Sequence, residues 1–527
     1  MKNQTYYNPI ISGYYPDPSV VRVDKDYYLC TSTFEFFPGV PLFHSKNLVN
    51  WEQIGYCLNR ESQLPLNEAM PSTGILAPTI RYHKGVFYMI TTNMTELIKR
   101  GVGNFIVKTT DPRGQWSEPI WIKHEGIDPS LYFEDEKAYY CGTGFDEKGQ
   151  AIILFEVNVD TGEVLSDKRS ISYGVSGKCP EAPHIYKIND YYYLLLAEGG
   201  TEYGHMITIQ RSKNIWGPYE TCPNNPILTH RNFNGETVQC TGHGDLFEDH
   251  NGNWWMVCLG ARPIGPMLHQ LGRETFLVSM KWENGWPYPV YPKVELEMEG
   301  PIPEKQEKRN TEFFTDFSED FLPLEFNYIR NPNMENYIID KENSRIVLKG
   351  DTKGLSGGFH SPTFIGIRQK DFKTITTATM DLDLENKTIA GLTAYYMDTH
   401  HYEIRVRKEN DKLYVELNKR IYDLESVVAF RVIQGEKIFL RIESTKDKYK
   451  FLYSLDNKEF APLGEGVAAG LCTEITEVMT FTGTYLGIFA QNGVTKFDSF
   501  KCNWIEEALD KDREVQSVYP DMDSEEK

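Results

Sequence analysis

The chain has 527 residues, of which 40% are hydrophobic and 13% aromatic, and 55 basic against 75 acidic residues give a formal net charge of -20. This length is too great for one core and fits two domains, and the aromatic content is typical of a folded β-rich protein rather than a disordered one. The negative charge disfavours nucleic acid or an anionic membrane as a partner and favours a neutral ligand.

The termini and the cysteines predict the compartment. The N-terminal residues lack the apolar core of a secretory signal, and no apolar run of about 18 residues or more is present to span a membrane. Nine cysteines show neither paired metal spacing nor a compact disulfide framework, and their odd number favours free thiols. We therefore expect a cytoplasmic protein without a membrane segment.

A motif recurs five times in the first 300 residues, at intervals of about 50 to 60 residues. Each copy contains two short β-type runs joined by a polar turn, which is typical of a propeller blade. The repeat predicts an all-β fold with a five-bladed β-propeller over residues 1–300. The residues that open the first runs are Asp17, Ala77, Asp128, Glu181 with Ala182, and His243.

Three of these openings carry an acid. The first strand of every blade lines the central channel of a propeller, so we expect Asp17, Asp128 and Glu181 to meet at one mouth of that channel. A single Asp before Pro often only opens a turn. Three acids at equivalent positions of a repeat favour a functional site, because like charges crowded together are costly.

Paired carboxylates on opposite sides of a concave site for a neutral ligand are what glycoside hydrolysis requires. One acid donates a proton to the leaving oxygen, and the other acts on the opposite face of the sugar. A third carboxylate raises the pKa of the acid by repulsion and keeps it protonated. Asp17, Asp128 and Glu181 supply that set.

The remaining elements follow in chain order. Phe34 and Phe36, next to a Pro-Gly turn, are interpreted either as a surface that stacks on sugar or as packing between blades. Proline, glycine and charge mark a linker over residues 301–312. Residues 313–506 alternate with period two and predict an antiparallel, jelly-roll-like β-sandwich. Residues 507–527 predict a short helix and an acidic tail.

Several motifs together resemble glycoside hydrolase family 43, which comprises β-xylosidases and α-L-arabinofuranosidases with a five-bladed propeller. Two-domain members carry a C-terminal β-sandwich, so the resemblance covers nearly the whole chain. The motifs are Pro16-Asp17-Pro18-Ser19, Gly74-Ile75-Leu76-Ala77-Pro78, Ile127-Asp128-Pro129-Ser130, Glu181-Ala182-Pro183-His184 and Gly272-Arg273-Glu274-Thr275-Phe276.

The resemblance implies a role for each motif residue. Asp17 matches the general base, Glu181 the general acid and Asp128 the carboxylate that tunes and orients the acid. Arg273 matches an arginine that reaches sugar hydroxyls, although it also suits a partner for a channel acid. His243 matches a channel histidine that holds a hydrated divalent cation in some members. The resemblance therefore allows calcium in the channel, although it implies no required cofactor. The alternative is that His243 is a hydrogen-bonded core histidine.

One departure concerns the sugar. Leu76 stands where many family β-xylosidases have a tryptophan, so a stacking surface is absent or comes from Phe34 or Phe36. We assign Leu76 and Ala77, together with these two phenylalanines, to the substrate-binding surface. The preference between xylose and arabinose stays open.

The sequence thus predicts an exo-acting, inverting glycosidase that releases terminal β-D-xylose or α-L-arabinofuranose from short hemicellulose oligosaccharides. Alternatives are a catalytically inactive carbohydrate-binding propeller and a strict α-L-arabinofuranosidase. A retaining β-fructosidase would need an Asn-Asp-Pro setting, which Tyr15-Pro16-Asp17-Pro18 is not. A homodimer or tetramer is expected from the large sandwich surface, and the sandwich is expected to lend a loop to the rim of the site.

Overall fold

The computed structural model describes residues 2–176, 178–265, 267–476, 478 and 480–510. Strands dominate, and the described residues contain one α-helix, α1 (Met94–Arg100), which Asn93 caps at its start and Gly101, in the left-handed conformation, ends. The predicted all-β class is confirmed. Of the predicted tail, residues 507–509 form a 3-10 turn and residues 511–527 lie outside the described part of the chain.

No helix among the described residues is long and apolar enough to cross a membrane. All nine cysteines are free thiols, as their odd number predicted, and only Cys179 is not fully buried.

Backbone contacts divide the chain into two compact units. The first comprises Met1–Pro65, Thr73–Arg262 and Arg273–Lys308, and the second comprises Leu66–Ser72, Pro263–Gly272 and Arg309–Lys527.

The first unit contains five antiparallel sheets, one for each predicted repeat. The first sheet consists of β2 (Ser19–Val23), β3 (Asp26–Cys30), β5 (Gly39–Ser45) and β6 (Glu52–Leu58), and the second of β7 (Thr79–His83), β8 (Val86–Thr92), β9 (Asn104–Thr109) and β10 (Ile120–Ile122). The third consists of β11 (Ser130–Glu134), β12 (Lys137–Asp146), β13 (Gly149–Glu156) and β14 (Arg169–Ser172), and the fourth of β15 (Glu181–Ile188), β16 (Tyr191–Glu198), β17 (Met206–Ser212), β18 (Glu220–Thr221) and β19 (Leu228–Thr229). The fifth consists of β20 (Gln239–Glu248), β21 (Trp254–Ala261), β22 (Arg273–Glu283) and β23 (Trp286–Pro289). Three short strands complete the unit: β4 (Phe36–Phe37), β1 (Gln4–Tyr7) and β24 (Glu297–Gly300), of which β1 and β24 pair with each other.

The first strands of the five sheets are neighbours in space. Contacts join β2 to β7, β7 to β11, β11 to β15, and β15 to β20, and β20 contacts β2 in turn. The five strands therefore form a closed circle, and the residues that open them lie around a common centre.

The core of this unit lies between neighbouring sheets. Along β12, Tyr140 packs in a cluster with residues of the second sheet such as Ile90, whereas its neighbour Cys141 packs in a cluster with residues of the fourth, such as Leu194. Since successive side chains of a strand point to opposite faces, each sheet is buried on both sides. This explains why the strands of the repeats read as nearly continuous apolar runs.

The second unit is a sandwich of two antiparallel sheets, as predicted. The larger sheet consists of β25 (Glu312–Thr315), β27 (Tyr337–Asp340), β28 (Arg345–Gly350), β30 (Lys373–Asp381), β35 (Lys437–Ser444), β36 (Lys448–Ser454), β37 (Ala461–Val467) and β39 (Gly493–Ile505). The smaller consists of β29 (Thr363–Arg368), β31 (Ile389–Met397), β32 (His400–Glu409), β33 (Lys412–Ile421), β34 (Leu424–Ile433) and β38 (Tyr485–Gln491). The short strand β26 (Tyr328–Ile329) and 3-10 turns at Met334–Asn336, Lys341–Asn343, Ala468–Leu471 and Thr473–Ile475 complete it. Period-two alternation places Ile438, Leu440 and Ile442 of β35 in the core, where none of them is exposed.

Two segments from the first 300 residues belong to the second unit, which differs from the expected division at residue 300. The Arg330 guanidinium donates to the carbonyl of Ala69 over 2.7 Å, and the backbone N–H of Thr484 donates to the carbonyl of Gln270 over 3.1 Å. These bonds join residues more than 200 positions apart, so no local pattern in the sequence indicates them.

Candidate active site

Four of the residues predicted to open the first strands share an unusual backbone, although His243 lies within β20 and not at its start. Asp17, Asp128, Ala182 and His243 all adopt positive φ, at 57°, 53°, 48° and 45°. Left-handed backbone is uncommon for residues other than glycine, and such strain concentrates at functional sites. Glu181 lies one position before Ala182, where the register of β15 with β16 shifts.

Asp17 is buried and held by three neighbours. Arg273 Nη1 donates to Asp17 Oδ1 over 2.9 Å, the Ser32 hydroxyl donates to Oδ2, and His243 Nδ1 lies 3.5 Å from Oδ1. Burial alone would raise the pKa of this carboxyl, but the charge of Arg273, the neighbouring His243 imidazole and the bond from Ser32 outweigh burial and lower the pKa. Asp17 is therefore an anion at neutral pH.

Arg273 is the first residue of β22, and it contacts other side chains in addition to the Asp17 carboxylate. Its Nη1 also donates to Thr201 Oγ1 over 3.0 Å, and its guanidinium carbon lies 5.7 Å from the ring centroid of Phe34. The ion pair with Asp17 is the acid-partner role considered for Arg273 from the sequence. Its role toward a sugar stays a prediction.

Asp128 and Glu181 form a coupled pair of half-buried carboxyl groups. Burial, then the charge of Glu181, then that of Asp17 raise the pKa of Asp128 well above its ordinary value, although the N–H of Ala182 donates to it. Burial and the charge of Asp17 also raise the pKa of Glu181, against a hydrogen bond from Gln150. Two ionised carboxylates repel each other, so the pair of Asp128 and Glu181 keeps a proton at a pH at which Asp17 is already ionised.

The predicted sugar-binding surface is only partly exposed. Phe36 is fully buried, Phe34 is 2% exposed and Ala77 is 4% exposed, whereas Leu76 is half-buried. Phe34 exchanges backbone hydrogen bonds of 2.8 and 3.0 Å with Ile75, which ties the first repeat to the second. Packing is the better interpretation for Phe36, because its ring presents no face to solvent.

His243 stands beside a second buried imidazole. His205 Nδ1 donates to the carbonyl of Cys240 over 3.0 Å, and a Cβ at Gly242 would lie 2.2 Å from the His205 ring, so glycine is required there. Burial lowers the pKa of His243 and lowers that of His205 to about 3.

Both imidazoles are neutral at working pH, which suits metal ligands. Among the described residues, however, no three His, Cys, Asp or Glu side chains cluster closely enough to hold a metal ion. A cation at His243 would thus have to be bound mainly through water.

A buried ion-pair network joins four of the five first strands. The Asp245 carboxylate accepts from Ser19 at 2.7 Å, Arg81 at 2.9 Å and Tyr186 at 2.6 Å, and Arg81 also contacts His184 Nδ1 at 2.8 Å. Burial opposes ionisation of Asp245, but Arg81 and the other donors lower its pKa. The network ties together the strands that present the candidate acids.

Sequence reasoning missed four residues of the site. Ser32, Thr201 and Gln150 contact the predicted residues directly. Phe145 is the cross-strand partner of Gln150 and is 75% exposed, so a large apolar ring stands beside the residue that holds Glu181.

One signal in the repeat could have revealed Ser32. In three repeats a hydroxyl residue lies among the last four residues of the second strand or just after it, and each donates to the opening segment of its own repeat. The pairs are Ser32 with Asp17, Thr91 with the carbonyl of Leu76 at 3.0 Å, and Thr143 with the carbonyl of Ile127 at 3.2 Å.

Comparisons with known proteins agree with this architecture. Residues 6–287 match the model of glycosyl hydrolases family 43, and residues 315–503 match that of the β-xylosidase C-terminal concanavalin A-like domain. The match of the first unit defines the class of the protein as a glycoside hydrolase. The chain belongs to glycoside hydrolase family 43.

Relatives resemble the chain over nearly its whole length. A non-reducing end α-L-arabinofuranosidase of Bacteroides ovatus is 36% identical over 96% of this chain and 95% of its own, and a xylosidase/arabinosidase of Butyrivibrio fibrisolvens is 35% identical over 94% and 97%. The solved structure of GH43B from the Bacteroides ovatus xyloglucan PUL aligns with a TM-score of 0.89, at 36% identity over 95% of this chain and 100% of its own. That of a xylan β-1,4-xylosidase from Bacillus halodurans C-125 aligns with a TM-score of 0.88, at 29% identity over 94% and 100%.

Proposed function

We propose that the first unit is a five-bladed propeller whose channel mouth hydrolyses the terminal β-D-xylosyl or α-L-arabinofuranosyl residue of hemicellulose-derived oligosaccharides with inversion. The opposite pKa shifts of Asp17 and Glu181 within one site carry this proposal. When the environments of two titratable groups push their pKa values apart, the group with the lowered pKa is assigned as the base and the group with the raised pKa as the acid.

Asp17 is the base in this mechanism. Its carboxylate removes a proton from a water molecule, whose oxygen attacks the anomeric carbon as the bond to the leaving oxygen breaks. Glu181 donates its proton to that oxygen, so the aglycone departs as a neutral alcohol and the released sugar has the inverted configuration. Water must fit between Asp17 and the sugar, which requires a separation of roughly 6.5–9.5 Å between the two carboxyl groups.

Asp128 and Arg273 support the two reacting carboxyls. Asp128 shares a proton equilibrium with Glu181, and this coupling favours a protonated acid before the bond breaks. Arg273 keeps Asp17 ionised and has a fixed fork of donors, which can meet hydroxyls of the terminal sugar when substrate displaces a present contact.

The identity of the sugar rests on two observations. Relatives are named for arabinofuranosidase, xylosidase, or both. Leu76 supplies a half-buried aliphatic surface where a tryptophan would supply a ring, and this favours a strict α-L-arabinofuranosidase as the second candidate. A non-catalytic propeller is not favoured, because these relatives are named as enzymes.

Proton NMR separates these candidates. Early α-xylose from xylobiose is expected for an inverting β-xylosidase, and early β-arabinose from an arabinose-decorated xylo-oligosaccharide is expected for an arabinofuranosidase. Release of the retained anomer would contradict Asp17 as a base acting through water. Glu181→Ala is the control, and it should lose turnover of both substrates while still binding sugar.

The remaining predictions concern the setting of the enzyme. We keep the expectation of a homodimer or tetramer, of a cytoplasmic location and of a soluble oligosaccharide as the partner molecule. Size-exclusion chromatography with light scattering tests the first of these.

A further inference from the structure

Glu198 is a buried carboxylate that the mechanism does not use. It ends β16, has no exposed surface, and its neighbour Ala197 is the cross-strand partner of Glu181. Burying a carboxylate is costly unless hydrogen bonds satisfy it. Its partners therefore indicate what the burial achieves.

Three of the four hydrogen bonds to Glu198 come from the segment that leads to Glu181. Oε1 accepts from the N–H of Val175 at 2.8 Å, and Oε2 accepts from the N–H and the hydroxyl of Ser176 at 2.7 and 2.6 Å. The fourth comes from Thr208 on β17, at 2.6 Å to Oε1. The carboxylate thus joins the fourth sheet to the chain five residues before the candidate acid.

Gly174 allows this close approach. It has a φ of +77°, and a Cβ there would lie 2.9 Å from Glu198 Oε2. Val175 and Ser176 are themselves exposed, so little apolar burial fixes this part of the chain. Beyond it, Lys178 accepts a backbone bond of 3.0 Å from Gly199, the residue that follows Glu198.

We propose that Glu198 is a positioning residue for the proton donor, because it anchors residues 174–176 and thereby sets where Glu181 presents its proton to the leaving oxygen. This inference rests on the proposed role of Glu181 as general acid. The hydrogen bonds of Glu198 go to Val175, Ser176 and Thr208, so its proposed role is to position the acid and not to react.

Glu198→Gln is the sharpest perturbation. Each carboxylate oxygen accepts from one backbone N–H, and an amide can present an oxygen to only one of them. Its NH2 group therefore faces the other N–H in either orientation, and one bond to residues 175–176 is lost without a change of volume. Ser176→Ala removes the hydroxyl that donates to Glu198 and accepts a long 3.4 Å bond from the N–H of Lys178, and it keeps the proposal testable if Glu198→Gln folds poorly.

The leaving group decides the outcome. A dinitrophenolate departs with little help from an acid, whereas the sugar of a disaccharide requires protonation. General acid catalysis contributes a rate factor of about 10²–10⁴. For Glu198→Gln we expect a part of this factor to be lost, so that kcat on the disaccharide falls at least about tenfold. On the 2,4-dinitrophenyl glycoside of the same sugar, kcat should change little. The alkaline limb of the pH profile, which belongs to the acid, should also move.

Asp249→Asn is the matched control. Asp249 is a buried carboxylate of the same unit that accepts from the N–H of Asn251, the N–H of Asn253 and the indole of Trp255 at 2.8, 2.9 and 3.0 Å. It anchors a turn between β20 and β21. We expect this variant to lower the unfolding temperature while both substrates lose activity by the same small factor.

Equal losses on both glycosides in Glu198→Gln, or no loss on either, would overturn the inference. Glu181→Ala runs beside it and should show the strongest dependence on the leaving group. If Glu181→Ala lacked that dependence, the assignment of the general acid would be wrong, and the two failures are thereby distinguished.

Discussion

Replacing Ser32 by alanine tests whether Asp17 is the base. The Ser32 side chain is fully buried and donates to Asp17 Oδ2, so the substitution removes one hydrogen bond to the carboxylate and leaves the ion pair with Arg273 in place. Removing a donor that favours the charged form raises the pKa of the carboxyl.

The size of the shift follows from the nature of the bond. A hydrogen bond to a charged group contributes about 1.5–3 kcal/mol. Since one pKa unit corresponds to about 1.4 kcal/mol, the pKa of Asp17 should rise by about 1 to 2 units. Asp17 remains ionised at neutral pH in the variant, so the activity there should change little.

The assay is the pH dependence of kcat/KM on the disaccharide that the wild type hydrolyses. The acid limb, which reports the base of the free enzyme, should move upward by the same 1 to 2 units, while the alkaline limb stays in place. Ser45→Ala is the control, because Ser45 is a buried serine of the same sheet whose hydroxyl accepts from the N–H groups of Asn47 and Leu48 at 3.2 and 3.0 Å. An acid limb unchanged in Ser32→Ala, or shifted equally in Ser45→Ala, would refute Asp17 as the titrating base.

Three further predictions concern pH, stability and metals. The pH profile of kcat/KM for the wild type should be bell-shaped. Its acid limb should lie below the ordinary carboxyl pKa of about 4, because the pKa of Asp17 is lowered, and its alkaline limb should lie above that value, because the pKa of Glu181 is raised. A reversed order of the limbs would contradict the two roles. Asp245→Asn removes one partner of a buried ion pair and should cost about 3–5 kcal/mol, measured by urea unfolding at pH 7, whereas a loss below 1 kcal/mol would mean that Arg81 is satisfied elsewhere. Because the pKa of Asp245 is lowered in the folded state, its contribution is complete above about pH 4 and is lost as the pH falls, so the variant and the wild type should converge in acid. Exhaustive dialysis against EDTA should leave kcat unchanged, since proton transfer by two carboxyls needs no metal; loss of activity that calcium restores would assign His243 a cation.

The repeat explains why so much of the candidate site was predictable. Asp17, Asp128 and Glu181 each stand at the start of a similar segment, and repeated segments of a closed sheet arrangement place equivalent residues around one centre. Arg273 was found through its motif, and the structure pairs it with Asp17. Periodicity and motif are local properties, and both can be read along the chain.

Other features depend on contacts that no local pattern contains. Glu198 bonds to residues 22 and 23 positions away, and Thr201 meets Arg273 across 72 positions. The same applies to the segment around Gln270, which joins the second unit through Thr484. Phe36 looked as suitable for stacking as any exposed aromatic, and only its complete burial argued against it.

The sequence by itself determined the β-rich class, the five repeats, the sandwich that follows them and the three acids at the strand openings, because alternation and recurrence are written in consecutive residues. Only the tertiary structure decided which acid is ionised. Asp17 acquires Arg273 and Ser32 as neighbours, whereas Asp128 and Glu181 acquire each other, and the protonation of a carboxyl depends on the charges and donors that folding brings to it.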